Sequence, residues 1–301
     1  MNLLLLEPAE VGGDGACSID GDRARHVRDV LGARTGSIVR AGVIGGGVGA
    51  AEVVGDDGAR MTLRLALTGE PPPQLPIELV LAVPRPKVVT RTIEACAAFG
   101  VRRVDLTNAW RVDKSYFDSP RLAPAALARA ARLGAAQGAT THLPELHVHD
   151  RLMALLDTRF PPASGPLALR LVAHPGARPI EDVVTLAPEL ACLDPSRGGS
   201  SRDAIVAASS RSDEERFGAA PRPHTTCSAI SAQHKRALGL PGPAIVAIGP
   251  EGGWIERELD TFVARGFQPV SLAATILRTE TAVATALAQL ALLFRLRTAT
   301  R

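Results

Sequence analysis

The sequence predicts an α/β protein in which a mostly parallel sheet, covered by helices on both faces, follows a small β-rich unit. Three observations carry this. From Ile77 onward, short apolar strands alternate with helical segments, the pattern of parallel strands buried on both faces. Before that, residues 1–69 hold short β-branched or alternating runs separated by glycine-rich breaks, as hairpins require. Between the two, Gly69-Glu70-Pro71-Pro72-Pro73 reads as a stiff linker. The expected boundaries are a first domain over 1–70, a linker over 71–76 and a second domain over 77–301.

In chain order, Leu3 to Leu6 is an opening strand, too short and without the basic flank of a signal peptide. A short helix is expected around Asp22 to Leu31, capped by Asp20 or Asp22 and ended by Gly32. Strands follow at Ser37 to Val43, Gly49 to Val54 and Arg60 to Leu67. The second domain opens with a strand at Ile77 to Val83 and a helix at Val88 to Phe99, closed by Gly100 as a left-handed cap. Val101 to Thr107 is a strand and Leu122 to Gln137 a helix. Leu167 to Ala173 is a strand ended by the turn His174-Pro175-Gly176. Ala244 to Ile248 and Gln268 to Leu272 are strands around a helix at Ile255 to Arg265, and a long helix spans Glu280 to Leu296. Residues 195–242 are polar and rich in Gly and Ser, which marks an insertion.

Composition narrows the function classes. Hydrophobic residues make up 46% of the 301 and aromatics only 3%, so aliphatic side chains must build the core. Four cysteines (Cys17, Cys96, Cys192, Cys227) form no CxxC pair, which argues against a zinc ribbon or a disulfide scaffold and for a reducing cytoplasm. No stretch reaches the length of a membrane span. The formal charge of +3 implies no partner, but residues 84–132 hold ten Arg and Lys against four Asp and Glu. Such a local excess suits a polyanion. His147 and His149 have the spacing of a strand-borne metal pair but lack a third ligand at a defined position, so no metal is expected.

Two strings carry the chemistry. In Ile248-Gly249-Pro250-Glu251-Gly252-Gly253-Trp254 the proline fixes a turn and the glycines let backbone N–H groups approach a ligand closely. Glu251 is expected near a helix N-terminus, where negative charge is favoured. The string lacks the Lys-Ser/Thr of a phosphate-binding loop and is not a dinucleotide fingerprint. In Leu277-Arg278-Thr279-Glu280-Thr281-Ala282, Thr279 or Thr281 can cap the following helix, and Arg278 projects where an anion could be clamped. Two such strand-to-helix junctions close together make a crevice at the C-terminal ends of parallel strands.

These strings, leading into an Ala-rich terminal helix, resemble the RsmE-type 16S rRNA (uracil-N3)-methyltransferases of the SPOUT superfamily. His26-Val27-Arg28-Asp29-Val30-Leu31 with Thr35-Gly36, Glu94 with Phe99-Gly100-Val101, Gln137 with Leu143-Pro144-Glu145, and His174-Pro175-Gly176-Ala177 are similar to further segments of that family. The resemblance implies a PUA-like β-barrel domain for RNA and a SPOUT-type α/β domain with a trefoil knot, assembled as a homodimer. It implies S-adenosyl-L-methionine bound against Ala173 and His174, Gly249, Pro250, Glu251 and Gly252, and the loop carrying Leu272, Ile276 and Leu277. Catalytic roles fall to Arg278, stabilising a uracil anion or holding a phosphate, and to Glu280, orienting it. Candidates for RNA contact are His26, Arg28, Arg85, Lys87, Arg111 and Lys114. The implied activity is methylation of N3 of a uridine in small-subunit ribosomal RNA, in the cytoplasm and without a membrane partner. Alternatives are methylation of a different RNA, or a non-catalytic RNA-binding or ribosome-assembly role on the same fold. The chain departs from the family at Ala273 and Thr275, where Gly and Arg are usual, at Thr140 for Arg, and at Val172 for Asn.

Overall fold

A computed structural model of the chain describes residues 2–161, 169–186 and 243–299. The expected insertion at 195–242, together with Cys192 and Cys227, lies outside the described residues.

The first part is a five-stranded mixed sheet in the order β1-β3-β4-β5-β2. It comprises β1 (Leu4–Leu6), β2 (Ala16–Asp20), β3 (Ile38–Val43), β4 (Val48–Asp56) and β5 (Arg60–Gly69). β2 was absent from the expectation, although Cys17 and Ile19 alternate with exposed neighbours and bury against β5. The short helix is split between α1 (Gly21–Arg25) and a π turn (His26–Val30), and Asp20 makes no side-chain cap bond. Gly32 does end it, at φ +65°.

β1 belongs to two cores at once. Because side chains alternate along a strand, Leu4 and Leu6 enter the small core around Ile19, Met61 and Leu63, while Leu3 and Leu5 enter the large one. Backbone bonds fix this contact: Asn2 and Leu3 N–H groups both donate to Ala136 O (3.1 and 3.0 Å), and Gly45 N–H donates to Thr141 O (3.0 Å).

The second part is a six-stranded sheet, β11-β9-β10-β6-β7-β8, parallel throughout. Its strands are β6 (Leu75–Ala82), β7 (Val101–Thr107), β8 (Glu145–His149), β9 (Arg170–Pro179), β10 (Ala244–Ile248) and β11 (Gln268–Ser271). The expected α/β architecture with a parallel sheet is borne out. The chain runs outward from β6 to β8, then returns to fill the other side of β6. α2 (Pro86–Ala98) and α3 (Pro124–Gln137) pack together on one face, where the long α7 (Thr279–Ala299) joins α2. On the other face lie α4 (Leu152–Arg159) and α6 (Glu256–Ala264), joined by edge contacts of Phe160, Phe262 and Phe267 at 5.0 to 5.3 Å. β8, α4 and the short α5 (Ile180–Leu186) were not among the expected elements.

α3 lies directly on the backbone of α2. A Cβ on Gly134 would stand 2.1 Å from Glu94 O, and one on Gly138, a turn later, 2.5 Å from Ala98 O. Gly134→Ala should therefore lower stability by about 1–2 kcal/mol, overpacking outweighing a gain of about 1 kcal/mol in helix propensity. Urea unfolding checks this; an unchanged or raised midpoint would show that the helices separate freely.

Candidate active site

At the C-terminal ends of β9, β10 and β11, three loops and the first turn of α7 enclose a cavity of about 210 Å³. The first loop is a break within β9. The expected turn at His174-Pro175-Gly176 does not end the strand. Instead Val172 pairs with Pro269 and pairing resumes at Arg178 with Val270, so residues 173–177 bulge out of a continuous strand. Gly176, at φ +78°, permits this bend. Ala173 and His174 thereby face the cavity.

The second loop is the Gly249–Trp254 string. The Trp254 indole folds back beneath it, so that a Cβ on Gly249 would come within 3.2 Å of Trp254 Nε1. The indole also packs on Phe262 at 4.9 Å, which anchors the loop to α6. Its N–H is buried without an acceptor among the described residues. Glu251 is not a helix cap: it accepts from Arg85 N–H at 3.2 Å. The carboxylate that starts α6 is Glu258, which is buried and takes N–H groups from Ile255 (3.0 Å) and Trp110 (2.8 Å).

The third loop, Leu272 to Leu277, is held by Gln289 of α7, whose Nε2 donates to Leu272 O at 3.1 Å. Leu272, Ile276 and Leu277 all line the cavity, and Thr279 and Ala282 of α7 complete it. The structure thus brings every residue expected to hold a cofactor to one cavity. Trp254, Thr279 and Ala282 were not among them, although all three stand inside the two singled-out strings.

The other candidates divide. Arg278, between lining residues 277 and 279, is exposed and makes no ion pair among the described residues. Glu280, expected to orient it, makes no ion pair with it. Arg85 and Arg111 reach the cavity rim, Arg85 through Glu251 and Arg111 by donating to Gly252 O. Lys87 and Lys114 are exposed, on α2 and on a short 3-10 turn. The remaining two, Arg28 and His26, are placed elsewhere. Arg28 forks onto Asp56 (2.8 and 2.6 Å), holding that carboxyl down to about 2, and His26 Nε2 is buried without a hydrogen bond among the described residues. Of the family departures, Ala273 and Thr275 line the cavity, whereas Val172 and Thr140 are core residues.

A second polar cluster was missed. Glu78, Arg103, Asp105 and His149 share one sheet face, and Arg159 of α4 closes over it. The fully buried Asp105 accepts from Arg103 (3.0 Å) and pairs with His149 (2.8 Å) and Arg159. His149, read from sequence as half of a metal-like pair, is hydrogen-bonded to Asp105 here, at 2.8 Å. No sequence pattern announces such a cluster; its members come from four separate elements.

A cavity at the C-terminal ends of parallel strands, walled by Gly-rich backbone and opened beside a helix N-terminus, defines an α/β protein that binds a small molecule in a strand-end crevice. The chain belongs to the RNA methyltransferase domain family, whose model matches residues 70–192 and 204–291. The expected kinship with RsmE-type proteins is borne out. A segment of 51 residues is 53% identical to ribosomal RNA small subunit methyltransferase E of Synechocystis, covering 17% of this chain and 17% of that protein. Among solved structures, the fold matches ribosomal RNA small subunit methyltransferase E of Neisseria gonorrhoeae, bound to S-adenosyl methionine, with a TM-score of 0.66. The identity is 18%, over 97% of this chain and 98% of that one. A Legionella pneumophila protein assigned as a methyltransferase and solved with SAM gives 0.65 at 18% identity, over 96% of both chains. At such identities the likeness is one of fold.

Proposed function

We propose that this protein transfers a methyl group from S-adenosyl-L-methionine to N3 of a uridine in the 16S RNA of the small ribosomal subunit. The observation that carries the reading is the convergence of residues 173–174, 249–252 and 272–277 on one cavity. Its walls are backbone and mostly apolar side chains, and among the described residues the Trp254 N–H has no acceptor; both suit a ligand with a flat heteroaromatic base. Bound there, S-adenosylmethionine supplies a methyl group activated on a sulfonium. The protein's part is positioning, with charge stabilisation at the target base. Uracil N3 carries a proton that must leave, and the resulting anion needs a cation nearby. Arg278 provides it at the cavity mouth, while Arg85 and Arg111 on the rim and Lys87 and Lys114 beyond them meet RNA phosphates. The family's RNA substrate fits that basic rim. The proposal includes the trefoil crossing and the homodimer implied by the resemblance, a second copy covering Leu292, which α7 leaves 47% exposed. It also includes work in the cytoplasm; among the described residues no helix is long and apolar enough to cross a membrane.

Calorimetry with S-adenosylmethionine, followed by incubation with unmethylated 30S subunits and mass spectrometry of the digested 16S RNA, tests this. Binding and a new N3-methyluridine are expected. Binding with a methyl group placed on another nucleotide or RNA would transfer the reading to a different target. Absence of S-adenosylmethionine binding would leave a non-catalytic RNA-binding protein, for which the replacement of the family's usual arginine by Thr275 speaks.

A further inference from the structure

The most exposed aromatic side chain among the described residues is Trp110, at 77%. Aromatic residues are scarce in this chain, and Trp254, Phe160, Phe262 and Phe267 are all buried. Leaving an indole in water forgoes the burial that makes aromatics dominant in cores, so its exposure calls for a reason.

The backbone around it is fixed. Trp110 N–H donates to the buried Glu258 at 2.8 Å, Asn108 N–H to His149 O at 3.1 Å, and Val112 N–H to Ala109 O at 3.0 Å. Ala109 and Val112 on either side are buried. The ring is thus held outward by an anchored loop. That loop also touches the cavity: Arg111 donates to Gly252 O, and its Cδ lies 3.0 Å from where a Gly252 Cβ would be. Glu258 ties Trp110 to Ile255, which follows Trp254 and precedes α6. An outward-facing, preorganised indole therefore stands next to a cavity-rim guanidinium, within residues 84–132, which hold ten Arg and Lys against four Asp and Glu.

We propose that Trp110 is a stacking platform for a nucleobase of the RNA substrate beside the target uridine, with Arg111 contacting the adjoining backbone. The inference rests on the RNA-methyltransferase reading and adds a residue that its sequence motifs do not contain. Single-stranded RNA is commonly gripped by bases stacked on rigid aromatic rings flanked by cations. A fixed ring loses little entropy on binding.

The test uses the full chain with fluorescein-labelled decauridylate, measured by anisotropy, and 30S subunits for turnover. Trp110→Ala should weaken decauridylate binding by roughly 5- to 140-fold, the value of one stacked base. It should raise KM for 30S subunits more than it lowers kcat, and leave S-adenosylmethionine affinity unchanged in calorimetry. Trp110→Phe should restore most of the RNA affinity. The stacking role is overturned if Trp110→Ala binds decauridylate as tightly as the wild type. It is equally overturned if that variant sediments at a different mass from the wild type, which would make the ring part of a contact between copies. If the wild type binds neither decauridylate nor 30S subunits, the RNA-methyltransferase reading falls first and this proposal with it.

Discussion

Arg278→Ala is expected to slow methyl transfer by roughly 10²–10³-fold, the usual loss when a donor that stabilises transition-state charge is removed, with S-adenosylmethionine binding unchanged. Leu277 and Thr279 line the cavity, so Arg278 is carried at its mouth between two residues of its wall. Its guanidinium has no ion pair among the described residues, which leaves the fork available for an anion. Among the described residues, the polar side chains that line the cavity, including His174, Glu251, Ser271, Thr275 and Thr279, contain no Arg or Lys. A cation must therefore come from the rim, and of the rim residues Arg85 and Arg111 already contact protein groups at Glu251 and Gly252. Single-turnover kinetics with saturating S-adenosylmethionine and 30S subunits measure the effect. An unchanged single-turnover rate would remove Arg278 from the mechanism; a raised KM with intact kcat would make it a phosphate contact instead.

Asp105→Ala is expected to lower the unfolding free energy by about 3–5 kcal/mol, the cost of breaking a buried charge network by deleting one member. The Asp105 side chain is fully buried, and Arg103 and Arg159 are only 18% and 21% exposed, so the guanidinium groups left behind cannot recover their hydration. Burial pushes the Asp105 carboxyl up, but the bonds from Arg103 and His149 and the charge of Arg159 more than reverse this and hold it below the usual carboxylate range. A depressed folded-state pKa means that the unfolded chain takes up its proton first as acid is added. The stabilisation is complete above an ordinary aspartate pKa of about 3.9 and disappears as pH falls through the lower folded value. Urea unfolding at neutral and acid pH should show this acid slope in the wild type and a weaker one in the variant. A loss below about 1 kcal/mol, the range of exposed pairs, would show that the cluster is hydrated after all.

Much of this was legible in the chain. The strands at 101–107 and 244–248 and the caps at Gly32 and Gly100 agree with expectation because each is set by local chemistry: continuous apolar runs for buried strands, and glycine where φ is positive. The two cavity-forming strings were legible because a ligand-binding turn concentrates unusual residues in a few positions. Where reading failed, a distant group had won. Glu251 has the right offset to cap a helix, yet it turns to Arg85, 166 residues away, and Glu258 takes the cap. Arg28 looked available for RNA but is bonded to Asp56, 28 residues away. The apparent turn at His174 is a bulge in a longer strand, since β11 pairs with β9 on both sides of it.

The sequence by itself determined the type of most elements, the parallel character of the large sheet and the identity of the loops that wall the cavity, because periodicity and turn residues act over a few positions. Only the tertiary structure decided the strand order, the sharing of β1 between two cores, the burial of Asp105 among charges from four elements, and the placing of Trp110 beside Gly252. Those depend on side chains that meet across long stretches of chain, where packing and pairing energies, not local propensity, select the partner.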